Sequence, residues 1–145
     1  MANHNDFSDM YREHILDLYK NPNNFGEMEN PTHKNTGYNS VCGDEITVML
    51  DVMNGKVKDI KFNGSGCVMS MVSASLLTDK IKEMDIKEIE KLGKKDILEL
   101  LKIKISPGRI KCVLLPLEAV KGAIKNDWDK KFNSWGSGKK DYWKS

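Results

Sequence analysis

The chain lacks a long hydrophobic run. No stretch approaches the roughly 18 apolar residues that a membrane-spanning helix requires. Its opening, Met1-Ala2-Asn3-His4-Asn5-Asp6, has neither the basic flank nor the apolar core of an export leader. Both absences lead to the expectation of a soluble cytoplasmic protein with no membrane partner. An excess of one charge is missing too. The 23 Lys and Arg stand against 21 Asp and Glu, a net +2, and with no Arg-rich or Lys-aromatic repeat this argues against nucleic acid as a partner. Cysteine is scarce, three in 145 residues, and no C-x-x-C pair occurs. An odd, widely spaced set excludes a disulfide framework, and the missing pair excludes a zinc ribbon or a redox dithiol. Reduced thiols are the expectation, which leaves metal or sulfur chemistry open.

What the chain does contain is 39% hydrophobic and 30% charged residues, enough for one globular domain with a modest core. Residues from Ser8 to Tyr19 space Met10, Tyr11, Ile15, Leu18 and Tyr19 along one face of a helix, which Asn21-Pro22-Asn23-Asn24 ends. From there to Asn39 the chain is polar and reads as a loop, with His14 and His33 as solvated surface residues. The β-branched run Ile46 to Val52, the hairpin signal Asn54-Gly55 and the run Val57 to Phe62 predict two antiparallel strands. A third strand is expected near Tyr38 to Val41.

A helix with almost no charge in its first half follows Cys67 and runs to about Met84. Met69 and Met71 in it read as core filler rather than as a soft-metal site. Asp85-Ile86-Lys87-Glu88 matches a capping box for a short helix ending near Leu92-Gly93, and a further helical set runs from Lys95 or Asp96 to Leu101. Ser106-Pro107-Gly108-Arg109 is a turn, and Cys112 leads into a last helix whose apolar face is Val113, Leu114, Leu117, Val120 and Ile124. Pro116 fits its first turns if that helix begins near Val113. Residues 126–145, which hold all three tryptophans, show no sustained helical period and read as a polar, aromatic tail after a domain of residues 1–125.

The stretch around which the rest is organised is Phe62-Asn63-Gly64-Ser65-Gly66-Cys67-Val68-Met69-Ser70, where a strand passes through small residues and delivers a thiol to a helix start. Helix N-termini favour negative charge, which suits a thiolate, and Gly64 and Gly66 allow backbone to approach whatever the sulfur holds. Cys112 repeats the arrangement at a second helix entrance. In Cys42-Gly43-Asp44 the thiol and carboxylate are two residues apart, so in extended chain they point to the same side. Three thiolates and one carboxylate could close a tetrahedron around zinc or hold a small iron-sulfur cluster. Three unrelated buried cysteines would have the same spacing.

Asn21-Pro22-Asn23-Asn24-Phe25-Gly26, Cys42-Gly43-Asp44, Gly64-Ser65-Gly66-Cys67 and Arg109-Ile110-Lys111-Cys112, in that order, resemble the successive signatures of the IscU/SufU/NifU-N family of iron-sulfur cluster assembly scaffolds. The resemblance spans residues from about 8 to 125. It implies an α+β domain in which helices pack on one face of a three-stranded antiparallel sheet, with Cys42, Asp44, Cys67 and Cys112 as ligands at one exposed end. It further implies a scaffold rather than an enzyme. Such a protein accepts persulfide sulfur from a cysteine desulfurase, combines it with iron and electrons from donors, holds a transient cluster of the 2Fe-2S type and passes it to apo iron-sulfur proteins. Cys112 and Cys42 are the candidate sulfur acceptors, with Cys112 preferred for its lysine neighbour and helix-start position. IscU-type members carry a histidine before the third cysteine and a Leu-Pro-Pro-Val-Lys stretch, where this chain has Lys111 and Ser106-Pro107-Gly108-Arg109-Ile110-Lys111. Lys111 resembles SufU-type members, which are zinc-dependent sulfurtransferases. Their insertion between the second and third cysteines is absent from this chain.

Overall fold

The Asn54-Gly55 pair turns the chain as its sequence predicts. Both residues have positive φ, 53° and 77°, as a two-residue type I′ hairpin requires. The turn joins strand β2 (Asp44–Met53) to strand β3 (Lys56–Ser65) in a computed structural model that describes residues 12–40 and 43–135, with side chains to residue 125. The irregular polar-apolar alternation of β3 has a physical origin. Asp51 pairs with Asp59 and Val52 with Val57, so Lys58 is an extra residue in the ladder. Past this bulge the side chains change sides, which puts Val57 on the buried face with Ile60 and Phe62.

A third strand, β1 (His33–Asn39), pairs antiparallel with β2 from His33↔Leu50 to Asn39↔Asp44, giving the order β1-β2-β3. It begins earlier than the expected Tyr38–Val41 and occupies much of the stretch read as loop. Apolar pattern cannot reveal it, because its stability comes from pairing with β2 and from cover by the last helix. Gly37 faces Leu115 and Ala119, and Asn35 Nδ2 donates to Ala119 O at 3.1 Å. His33, expected at the surface, is 5% exposed and its Nδ1 lies 2.8 Å from Thr32 Oγ1. His14 is exposed as expected.

Helix α1 covers residues 12–20 and buries Ile15 and Leu18 but leaves Tyr19 exposed, while Met10 and Tyr11 lie outside the described residues. The Asn-Pro loop after it is tied to the body of the protein. Asn23 N donates to Ser75 Oγ at 2.7 Å, Asn24 Nδ2 donates to Thr78 Oγ1 and Asp79 Oδ1, and Gly26 N donates to Phe62 O. Helix α2 (Val68–Ile81) is buried along most of its length, Met71 included, in keeping with its uncharged first half. It stops short of Met84 because Glu83 takes a positive φ of 71° and the chain bonds back to β3, with Glu83 N donating to Val57 O and Val57 N to Met84 O.

Helices α3 (Ile86–Glu90) and α4 (Lys94–Leu101) follow. The expected capping box of α3 does not form, since Asp85 makes no side-chain cap bond, whereas Asp96 in α4 accepts from Gly93 N–H at 2.8 Å. A 3-10 turn (Pro107–Arg109) then leads directly into α5 (Ile110–Trp135). The start at Ile110 puts Pro116 in the helix interior rather than in its first turns. The backbone of α5 also continues into the expected tail as far as Trp135. No Gly or Pro occurs between Lys125 and Gly136, and extending a formed helix fixes one residue per hydrogen bond gained. Residues 136–145 lie outside the described residues.

Helices α2 and α5 pack against the sheet face that carries Ile46, Val48, Leu50, Val57, Ile60 and Phe62, and a single apolar cluster joins them to α1, α3 and α4. No described helix is long and apolar enough to cross a membrane.

Candidate metal centre

Three chain segments end together at one edge of this sheet. Asp44 opens β2 directly after the turn from β1, in which Gly43 has φ +75° and donates its N–H to Asn39 O at 2.8 Å. Its carboxylate is 3% exposed. Cys67 is the N-cap residue of α2, held in extended conformation immediately past β3, and is partly exposed. Cys112 is the third residue of α5 and is fully buried. One ligand atom from each of Asp44, Cys67 and Cys112 lies within 4.8 Å of the other two, the one such group containing cysteine among the described residues. Cys42 lies outside the described residues.

The glycines before Cys67 make this approach possible. Gly64 has φ +137°, and a Cβ there would stand 2.1 Å from Glu45 O, so no side chain is tolerated where β3 closes on β2. A Cβ on Gly66 would meet Asp44 Cγ and Oδ1 at 3.1 Å, which means its bare backbone forms the wall against which the carboxylate lies.

The carboxylate is held at both oxygens. Oδ1 accepts from Cys67 N–H at 3.0 Å, using one of the orphan donors at the start of α2. Oδ2 accepts from Ser70 Oγ at 2.5 Å and lies 3.6 Å from Cys67 Sγ. Ser70 Oγ is also 3.6 Å from Cys67 Sγ and 3.1 Å from Cys112 O, and Asn39 Nδ2 is 3.9 Å from Cys112 Sγ. Sequence reasoning missed Ser70 and Asn39. The available signal for Ser70 was a hydroxyl one helical turn after Cys67 in a helix otherwise built for burial.

Two thiol sulfurs and a carboxylate oxygen form a donor set suited to zinc or to iron held among sulfides. For thiolates at 2.3 Å from a common ion, tetrahedral geometry separates the sulfurs by about 3.8 Å, so side-chain rotations of about 1 Å would bring the three atoms into bonding range. The three residues fit such a group. Lys111 and Arg109 beside the site are both exposed.

Comparison with known proteins gives a consistent picture. A family profile described as NifU-like N terminal domain matches residues 10–134. The iron-sulfur cluster assembly scaffold protein IscU of Thermotoga maritima is 39% identical over 136 residues, covering 82% of this chain and 95% of its own. The zinc-dependent sulfurtransferase SufU of Bacillus subtilis is 34% identical over 144 residues, covering 81% and 92%. Among solved structures, the N-terminal part of a nitrogen-fixing NifU-like protein from Brucella abortus superposes with a TM-score of 0.71 over 86% of this chain and 98% of that one, at 20% identity, a likeness of fold.

Proposed function

The chain belongs to the NifU-like N-terminal domain family, and from that premise we propose that it is a scaffold on which iron-sulfur clusters are assembled and from which they are passed on. The observation that carries this reading is the convergence of Asp44, Cys67 and Cys112, three residues far apart in sequence, within 4.8 Å at one end of the sheet. Cys42, two residues before Asp44, is the fourth ligand. The cluster, of the 2Fe-2S type, is cargo.

A cysteine desulfurase supplies the sulfur. A thiolate of the site attacks the outer sulfur of the donor's persulfide, a new S–S bond forms on the scaffold, and the donor's thiolate leaves. Reduction of that sulfane sulfur to sulfide takes two electrons from a separate donor. Cys112 and Cys42 remain the candidate acceptors. Cys112 is buried, so receiving sulfur there requires the surrounding segments to part, whereas Cys67 is already partly exposed. Asp44 suits a site that must also let go, because a hard carboxylate oxygen binds iron among sulfides less firmly than a thiolate does.

Lys111 beside Cys112 and the 34% identity to a zinc-dependent sulfurtransferase favour a second reading, in which the same four residues hold zinc and the chain relays sulfur. Anaerobic incubation with ferrous iron, cysteine, a dithiol reductant as electron donor and a cysteine desulfurase separates the two. The scaffold reading expects a visible chromophore that moves to an apo-ferredoxin. Tight zinc, no chromophore and faster desulfurase turnover would instead establish the sulfurtransferase.

A further inference from the structure

We propose that Ser70 is a positioning residue for this centre, resting on the reading of Asp44, Cys67 and Cys112 as its ligands. The Ser70 side chain is fully buried, and its hydroxyl is in contact with all three ligand residues: 2.5 Å from Asp44 Oδ2, 3.6 Å from Cys67 Sγ and 3.1 Å from the carbonyl oxygen of Cys112. It comes from α2, yet its carbonyl partner is on α5.

That carbonyl is available because of Pro116. In a regular helix the amide of residue 116 would donate to the carbonyl of residue 112, and proline has no N–H to give. Ser70 offers a donor to that carbonyl from outside the helix, and Ser73 Oγ donates to the neighbouring Val113 O at 2.6 Å, a carbonyl whose helical donor proline does not remove. The hydroxyl carries one proton and so can serve Asp44 or Cys112 at any moment. With both acceptors in reach the proton is shared between them, the larger share going to the shorter, charge-assisted bond to the carboxylate.

Together with the Cys67 N–H on Oδ1, this fixes the plane of the carboxylate beside the sulfurs. Outer partners that orient a ligating carboxylate contribute about 10–100-fold to metal affinity. The contact to Cys112 O meanwhile ties the first turn of α5 to the same hydroxyl, so Ser70 sets the distance between the ligand on α5 and those on β2 and α2.

A structural role and a positioning role are separable, because Pro116→Ala restores the missing helical donor to the Cys112 carbonyl without replacing the bond to Asp44. The test is titration of the full-length apo chain with cobalt(II) against a competing chelator, read by the thiolate-to-cobalt charge-transfer bands, with thermal unfolding of each apo variant alongside. Ser70→Ala is expected to bind cobalt about 10–100-fold more weakly than wild type. Ser70→Ala/Pro116→Ala is expected to regain apo stability but not affinity, while Pro116→Ala alone binds as wild type does. Affinity in Ser70→Ala equal to or tighter than wild type, or affinity restored in the double variant, overturns the positioning role and leaves the ligand set standing. Absence of thiolate bands in the wild-type chain overturns the ligand set itself and the positioning role with it.

Discussion

Asp44 has both carboxylate oxygens engaged, one by a backbone N–H and one by a hydroxyl, in a setting that is 3% exposed. A buried carboxylate needs such partners, because an isolated charge in a low-dielectric interior is strongly disfavoured. Oδ2 is also within reach of the Cys67 thiol, whose Sγ lies 3.6 Å away. In the proposed scaffold, an oxygen donor at this position would set how firmly cargo is held. Asp44→Cys replaces a hard donor by a thiolate, and raising the barrier to release by as little as about 1.4 kcal/mol would slow transfer tenfold. Reconstituted Asp44→Cys should therefore keep its cluster longer under chelator challenge and deliver it more slowly to an apo-ferredoxin. An unchanged lifetime would remove Asp44 from the ligand set. At this scale the residues that come together, Asp44, Cys67 and Cys112, were legible in the sequence, since scarce cysteines at element boundaries stand out. Ser70 was not, because its partners lie 26 and 42 residues away and serine in a helix carries no pattern of its own.

Among the elements, α5 departs most from expectation, and Pro116 is the reason it matters. Placed inside a helix, Pro116 removes one helical donor from the Cys112 carbonyl, and two hydroxyls one turn apart on α2 reach that carbonyl and its neighbour Val113 O. The pairing locks α2 to α5 in register at the end where both deliver cysteines. Ser73→Ala should remove the side-chain donor to the Val113 carbonyl without touching the bonds of the helix itself, at a cost of about 0.5–1.5 kcal/mol. Urea unfolding of the apo chain checks this, and a loss well below that range would mean the serine contacts do not fasten the two helices. The strands show the same limit on sequence reading. The β2–β3 hairpin was legible from Asn54-Gly55 and β-branched residues, whereas β1 is held by pairing and by the cover of α5, neither of which leaves an apolar period. Its Gly37 is nonetheless informative in retrospect, because a Cβ there would crowd Leu115 Cδ1 at 3.1 Å.

For the molecule as a whole, a three-stranded sheet with helices on one face puts the β1–β2 turn, the β3–α2 junction and the start of α5 at a common edge. Topology is thus what converts three distant sequence positions into one centre, and the order of the motifs in the chain was the signal that made it readable. Local reasoning alone could not distinguish this from three unrelated cysteines. The most direct measurement is zinc-edge X-ray absorption fine structure on the full chain loaded with equimolar zinc. Sulfur neighbours at about 2.3 Å with one oxygen at about 2.0–2.2 Å are the predicted shell. A shell of nitrogen and oxygen alone, with no sulfur, would contradict a shared centre at Asp44, Cys67 and Cys112.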